Sequence, residues 1–169
     1  MAIRKVLQFP DEQLRLMCET ITVFDDALKQ LVDDMFETVD AYGGGGLAAA
    51  QINVQQRVFV MNGGSGDKNV VACINPEIIE QRHEAVTEEA CYSFPGISAK
   101  VKRPLWVRVK FQDITGAWKE LEVKDWEARC VHHEIEHLDG VVFIDHLSGL
   151  KRKMLLEKMR KFKQKQQIG

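Results

Sequence analysis

Hydrophobic residues recur along the chain at intervals that predict both helices and strands. Between Asp25 or Asp26 and Gly43 the apolar positions are three or four residues apart, which is the spacing of one face of an α-helix. They are Leu28, Leu31, Val32, Met35, Phe36 and Val39. This pattern predicts a helix that an aspartate caps and Gly43 ends. Before it, residues 11–16 are predicted to form a short helical turn.

Two segments in the middle of the chain are typical of strands. Residues Val58–Met61 and 70–79 are rich in β-branched side chains. Residues 62–67 between them contain glycine, asparagine, serine and aspartate, which favour a turn. We therefore expect two strands with a turn between them.

The second half of the chain predicts a hairpin followed by two helices. Segments 106–111 and 118–123 alternate apolar and polar residues, and the sequence of 113–116 is typical of a tight turn. Helices are predicted over 126–138 and over about 148–166. The apolar stripe of the last helix consists of Leu150, Met154, Leu155, Met159 and Phe162.

Length and composition predict one domain over residues 1–169, because 169 residues with 45% hydrophobic side chains suffice for one sizeable core. No apolar run approaches the roughly 20 residues of a membrane span, and the first residues do not resemble a secretory signal. We therefore expect a cytoplasmic protein without a membrane partner. Its scattered cysteines are then packing residues, ligands or nucleophiles rather than disulfides.

Charge is distributed unevenly, although the formal net charge is only −2. Residues 147–169 hold eight Lys or Arg and one Glu, a local charge of +7, whereas the rest of the chain carries −9. The predicted last helix is either a solvated face above an apolar stripe or a surface that binds phosphates, such as those of ribosomal RNA. We predict no DNA partner.

A metal site is indicated by the histidines near the end of the helix predicted over 126–138. His133 and His137 are four residues apart and share one helical face, and Glu134 lies one step around the helix, within reach of a water on the same ion. His132 and Glu136 have the same spacing but would leave Glu134 on the wrong face. The alternative is that both histidines only pack against the core.

Several residues compete for the place of the third ligand. One protease pattern requires a histidine three residues after Gly140, but Phe143 occupies that position. Glu157 lies downstream in the basic helix, where an ion pair is the simpler role. Cys91 lies in a turn-forming stretch, and its thiolate would complete three ligands of a tetrahedron with one open position. The residues alone leave Cys91 and Glu157 as alternatives.

Three stretches together resemble the peptide deformylase family. They are Gly-Gly-Gly-Leu-Ala-Ala-Ala-Gln at 44–51, Glu-Ala-Cys-Tyr-Ser at 89–93 and His-Glu-Ile-Glu-His-Leu-Asp-Gly at 133–140. The resemblance implies an α+β fold with antiparallel β-sheets around a central metal-binding helix and with a C-terminal helix. It also implies a hydrolase that removes the N-formyl group from formyl-methionine at the start of newly made proteins and releases formate.

The resemblance also implies a role for each matching residue. The metal ligands would be Cys91, His133 and His137; the catalytic groups would be Glu134, Gln51 and the backbone N–H of Tyr92. Residues expected to contact the substrate are Gly44, Gly45, Gly46, Leu47, Ala90, Tyr92 and Cys130. Glu134 would take a proton from a water on the metal and pass it to the leaving amine. The family favours Fe²⁺, while one thiolate and two imidazoles also suit Zn²⁺ or Ni²⁺.

Four residues depart from the usual family pattern: Ala90 replaces glycine, Tyr92 leucine, Gly45 a β-branched residue and His132 glutamine. If position 90 has a positive φ, its Cβ costs about 1 kcal/mol. Gly45 and Tyr92 would exchange bulk between two walls of the pocket for the first side chain. The departures at Ala90 and Tyr92 keep one alternative open, a non-catalytic binder of N-terminal peptides. The other alternative is a metallopeptidase that uses the same His-Glu-x-x-His helix.

Overall fold

The computed structural model describes residues 2–63 and 70–168. Its helices are α1 (Asp26–Tyr42), α2 (Asp125–Leu138) and α3 (Gly149–Ile168). Its strands are β1 (Gly46–Ala48), β2 (Val58–Met61), β3 (Val71–Glu89), β4 (Ala99–Gln112) and β5 (Trp118–Lys124). Short 3₁₀ turns cover Glu12–Arg15, Ala49–Ile52 and Phe143–His146.

The five strands form one antiparallel sheet in the order β1-β2-β3-β4-β5. The predicted hairpin is β4–β5, in which Trp106 pairs with Lys124 and Gln112 with Trp118. The expected α+β class with antiparallel sheet and a C-terminal helix is confirmed. Of the predicted turn at 62–67, only residues 62 and 63 fall within the described residues.

Strands β3 and β4 are much longer than the hydrophobic pattern predicts. Residues 80–89 of β3 are mostly polar and are exposed or partly exposed. In the added residues 99–105 of β4, Val101 and Arg103 are buried, whereas Lys100 and Lys102 are exposed. Opposite charges face each other between the two strands, as Glu88 does Lys100, and such cross-strand pairs stabilise a sheet. The alternation of β4 is not apparent in the hydrophobic pattern because an arginine occupies one of its buried positions.

Helix α1 has the predicted ends. The Asp25 carboxylate accepts a hydrogen bond from the Leu28 N–H at 3.1 Å, and Gly43 follows the last turn with a φ of +74°. Glycine adopts that left-handed conformation without a steric cost. The predicted start and stop signals of this helix are therefore both used.

Helix α2 lies centrally and contacts every strand of the sheet. Its buried residues Ala128, Val131 and Leu138 share a core cluster with Val107 and Val123 of the sheet. A helix enclosed in this way holds its remaining side chains in fixed directions. The two histidines near its end are therefore positioned by the core itself.

Helix α3 is attached by only part of its predicted apolar stripe. Met159 is buried, and Leu155 is partly buried against the cluster that contains Phe94 and Phe143. Leu150 and Met154 are 70% and 63% exposed. Most of the basic residues of α3 are also exposed. Within the described part of the chain, no helix is long and apolar enough to cross a membrane.

Candidate metal centre and active site

Three potential ligand atoms converge beside α2. His133 and His137 lie one turn apart, with their Nε2 atoms separated by 3.1 Å. The Sγ atom of Cys91, two residues beyond the end of β3, lies 3.4 Å from Nε2 of His137. The three donor atoms lie within 4.8 Å of one another, and no other such group of His, Cys, Asp or Glu occurs among the described residues.

These separations fit the coordination sphere of one small divalent ion. Metal–nitrogen bonds of ~2.0 Å and metal–sulfur bonds of ~2.3 Å place tetrahedral ligand atoms about 3.3–3.6 Å apart. The observed 3.1 and 3.4 Å are close to that range. Burial, together with neighbouring His133, holds the pKa of His137 well below its usual value, and a neutral imidazole is the form that binds metals.

Glu157, the alternative third ligand, lies elsewhere. Its carboxylate pairs with Arg160 at 2.5 Å on α3, where about half of each side chain is exposed. That ion pair is the simpler role expected from the sequence. The structure therefore brings Cys91, and not Glu157, to the two histidines.

A buried ion-pair network supports His133 from behind. Nδ1 of His133 is hydrogen-bonded to Glu89, and both carboxylate oxygens of Glu89 accept hydrogen bonds from Arg103, at 2.6 and 2.9 Å. Burial alone would raise the pKa of Glu89, but these hydrogen bonds outweigh it and hold the pKa well below its usual range. An ionised partner on Nδ1 orients a histidine ligand and increases its basicity.

Arg103 also binds the side chain of His132. Arg103 is 1% exposed, and its Nη1 donates to Nδ1 of His132 at 2.8 Å and to Glu136 at 2.5 Å. Glu136 also contacts His146 at 2.8 Å. His132 and Glu136 thus belong to the network that supports the helix and do not form a second metal site.

Glu134 is a buried carboxyl that lines the cavity next to His133. Its side chain is 4% exposed, and its Oε1 atom has no hydrogen-bond partner among the described residues. Burial raises the pKa of this carboxyl to about 7. A Cβ on Gly46 of β1 would lie 2.8 Å from its Oε2 and 2.6 Å from Sγ of Cys130. Only glycine at position 46 lets the strand approach the carboxylate this closely.

Gln51 points its amide nitrogen towards the thiolate position. The carbonyl oxygen of its side chain accepts a hydrogen bond from the Ala48 N–H at 3.0 Å. The nitrogen is then directed to Cys91 Sγ at 3.5 Å and Ser93 Oγ at 3.3 Å. The 3₁₀ turn Ala49–Ile52 thus fixes an N–H donor beside the candidate metal ligands.

A cavity of about 720 Å³ opens onto this cluster. It lies within the usual size range of small-ligand sites. Among the predicted residues, those that line it are Gly45, Gly46, Gln51, Ala90, Cys91, Tyr92, Cys130, His133 and Glu134. Leu47 is instead fully buried in the core that α1 covers, and Gly44 lies under the Tyr92 hydroxyl.

Residues 3–153 match the polypeptide deformylase family. The chain belongs to this family. A curated peptide deformylase from Chromobacterium violaceum is 44% identical over 161 residues, which cover 95% of this chain and 96% of the relative. The family membership makes the protein an enzyme of this class and supports deformylation over the two alternatives.

Solved deformylase structures have the same fold. A crystal structure from Legionella pneumophila superposes with a TM-score of 0.93, is 41% identical and covers 98% of both chains. One from Ehrlichia chaffeensis, in complex with actinonin, has a TM-score of 0.91, is 36% identical and covers 95% of this chain and 98% of that one.

The departures at 90 and 92 are accommodated without backbone strain. Ala90 is exposed at the cavity and is not among the residues with positive φ in the described chain, so the expected cost does not arise. The Tyr92 ring packs against Tyr42 with 5.5 Å between centroids. Burial, and next the charge of Glu134, raise the pKa of Tyr92 to about 12, which keeps its hydroxyl protonated.

Sequence reasoning missed four residues of the site: Glu89, Arg103, Trp126 and Arg129. Glu89 could have been found, because it stands within the stretch that carries Cys91. Arg103 follows two lysines and resembles a solvated charge, although it is buried. Trp126 and Arg129 line the cavity because α2 presents them one turn before Cys130 and His133. Helical spacing from His133 was the available signal for them.

Proposed function

We propose that this enzyme hydrolyses the formamide at the N-terminus of newly made, formyl-methionine-initiated proteins, with a divalent ion bound by Cys91, His133 and His137. The observation that supports this most directly is the arrangement of three ligand atoms, an unpaired buried carboxylate oxygen and a fixed amide donor around one cavity. A metal-dependent amidase uses each of these groups.

We propose Fe²⁺ as the native ion, on the family resemblance, and the donor set also accepts Zn²⁺ or Ni²⁺. A divalent ion in this position lowers the pKa of water and polarises a carbonyl oxygen. Glu89 and Arg103 would keep His133 oriented towards it. We expect metal affinity to depend on these two residues as well as on the ligands.

Glu134 would move the proton. Because its carboxyl is buried and its Oε1 lacks a protein partner, that oxygen can accept a proton from water and return it to the departing amine nitrogen. A carboxyl pKa near 7 suits both directions of transfer at neutral pH.

Two donors would stabilise the negative charge on the formyl oxygen. The side-chain N–H of Gln51 is directed to the cluster by its bond to Ala48, and Tyr92 places its backbone N–H directly after Cys91. Donors fixed before the reaction typically contribute about 3 kcal/mol each to lowering the barrier.

The substrate backbone would extend the sheet. Strand β1 pairs with β2 and is an edge of the sheet in the described part of the chain, and its first residue, Gly46, and the preceding Gly45 line the cavity without side chains. An extended peptide can hydrogen-bond to such an edge. This mode would bring a chain terminus to the ligand cluster and would serve for nascent peptides of many sequences.

Replacing the proposed proton-transfer group tests this function. We expect Glu134→Gln to bind iron stoichiometrically and to release formate from formyl-methionyl peptides about 10²–10⁴ times more slowly than wild type under anaerobic conditions. Glu120→Gln, at an exposed site on β5, is the matched control and should keep the wild-type rate. A near wild-type rate in metal-loaded Glu134→Gln would contradict the assignment.

We further propose that the chain acts as one catalytic domain in the cytoplasm and that α3 contacts the ribosome. The single sheet that packs around α2 supports the organisation as one domain. The exposed basic residues of α3 support the contact with the ribosome, and Leu150 and Met154 on the same helix are exposed as well. Phosphates of ribosomal RNA are the expected partners of the cations.

A further inference from the structure

Trp126 fills space that a side chain at position 45 would occupy. A Cβ built on Gly45 would lie 2.2 Å from both Cη2 and Cζ2 of the indole, a distance at which atoms overlap. The indole therefore lies directly over the backbone of residue 45. Any larger residue at position 45 would have to displace the ring.

The indole is also a wall of the cavity. Trp126 begins the face of α2 that continues, at helical spacing, with Cys130 and His133, and all three line the cavity. The ring is 37% exposed although its edge contacts Gly45, so part of its surface faces open space. Tyr92 does not compete for this position, because its hydroxyl lies over Gly44.

We propose that Trp126 is a specificity-determining residue whose indole contacts the first side chain of the substrate, and that Gly45 is required to seat it. This inference rests on the proposed function. Methionine sulfur makes favourable contacts with aromatic rings that a methylene group does not make. The aromatic wall should therefore favour methionine over norleucine, which has a methylene group in place of the sulfur and is otherwise the same in shape.

The test compares two substrates that differ only in this atom. Formyl-Met and formyl-norleucine peptides with identical remaining residues compete in one reaction, and the ratio of their kcat/KM values is measured. We expect wild type to prefer methionine and Trp126→Leu to lose about two- to tenfold of that preference. Trp126→Phe keeps an aromatic ring and should retain most of it. Trp118→Leu, at a 54% exposed tryptophan on β5, should leave the ratio unchanged.

A second comparison tests the pairing with Gly45. Gly45→Val should lower kcat/KM for both substrates, because its side chain overlaps the indole. Combining it with Trp126→Leu should restore most of the rate on both peptides but not the preference for methionine. A Trp126→Leu ratio equal to that of wild type, or a Gly45→Val rate that Trp126→Leu does not improve, would overturn the inference.

Failure of the proposed function gives a different result. In that case wild type would release no formate from either peptide. The binding of the same two peptides, measured by calorimetry on metal-loaded protein, then decides the role of Trp126. A preference for methionine that Trp126→Leu reduces would support the inference, and equal binding by wild type would overturn it.

Discussion

At the scale of single residues, sulfur distinguishes this site from a protease site with a carboxylate as third ligand. Cys91 Sγ lies 3.4 Å from His137, whereas Glu157 is engaged with Arg160. A thiolate carries the same charge as a carboxylate, but it is the softer ligand and favours softer divalent ions. The identity of one side chain therefore affects both the metal and its reactivity.

Removing that sulfur should remove the metal. We expect Cys91→Ala to lose stoichiometric iron or zinc on dialysis, measured by elemental analysis, because two imidazoles alone bind too weakly. Glu157→Gln is the control and should retain a full equivalent, since its side chain is half exposed on α3. The opposite pattern, with metal retained by Cys91→Ala and lost from Glu157→Gln, would assign the third ligand to α3.

At the scale of elements, one buried guanidinium joins two strands and the central helix. Arg103 of β4 bonds Glu89 at the end of β3 and Glu136 of α2, and its side chain is fully inaccessible. Burial opposes its charge, but both carboxylates outweigh that effect and raise the pKa of Arg103 above its usual value. The helix that carries the two histidines is thereby tied to β4 and to the end of β3 that precedes Cys91.

Breaking this junction should be costly. Arg103→Leu leaves two carboxylates without a counter-charge, which is expected to lower the free energy of unfolding by about 3–5 kcal/mol. Arg82→Leu removes an arginine of which 57% is exposed, and a surface ion pair contributes at most about 1 kcal/mol. Urea unfolding measures both variants. Equal losses would show that the buried network contributes no more than a surface pair.

At the scale of the whole molecule, charge is separated between α3 and the rest of the chain. The basic residues of α3 extend from an apolar attachment at Met159, while the cavity beside α2 is lined, apart from Gln166, by residues of the acidic remainder. An anionic polymer would be attracted to the helix and repelled elsewhere, which orients the enzyme on its partner. This separation of charge supports the proposed contact of α3 with ribosomal RNA.

Neutralising part of that face should weaken ribosome binding and spare catalysis. We expect the triple variant Lys158→Gln, Lys161→Gln, Lys165→Gln to co-sediment less with ribosomes and to show a shallower salt dependence, because fewer counterions are released. The matched control neutralises Lys100, Lys102 and Lys119, which are exposed on the sheet. Formate release from free peptides should be unchanged in both. Equal co-sedimentation of the two variants would exclude α3 as the contact.

The sequence by itself determined the elements with a buried face and the ligands that share a helix. The ends of α1, strand β2, the β4–β5 hairpin and the pair His133–His137 follow from local periods of apolar and polar residues. These features depend on neighbours within a few positions. They could therefore be predicted without knowledge of the fold.

Only the tertiary structure decided which distant residues meet. Strands β1, β3 and β4 converge on α2, which brings Cys91 rather than Glu157 to the two histidines. The same convergence buries Arg103 and places Trp126 against Gly45. The polar half of β3 likewise forms a strand through its pairing with the first half of β4. Contacts between residues far apart in sequence leave no local period, because their free energy depends on packing that exists only in the folded chain.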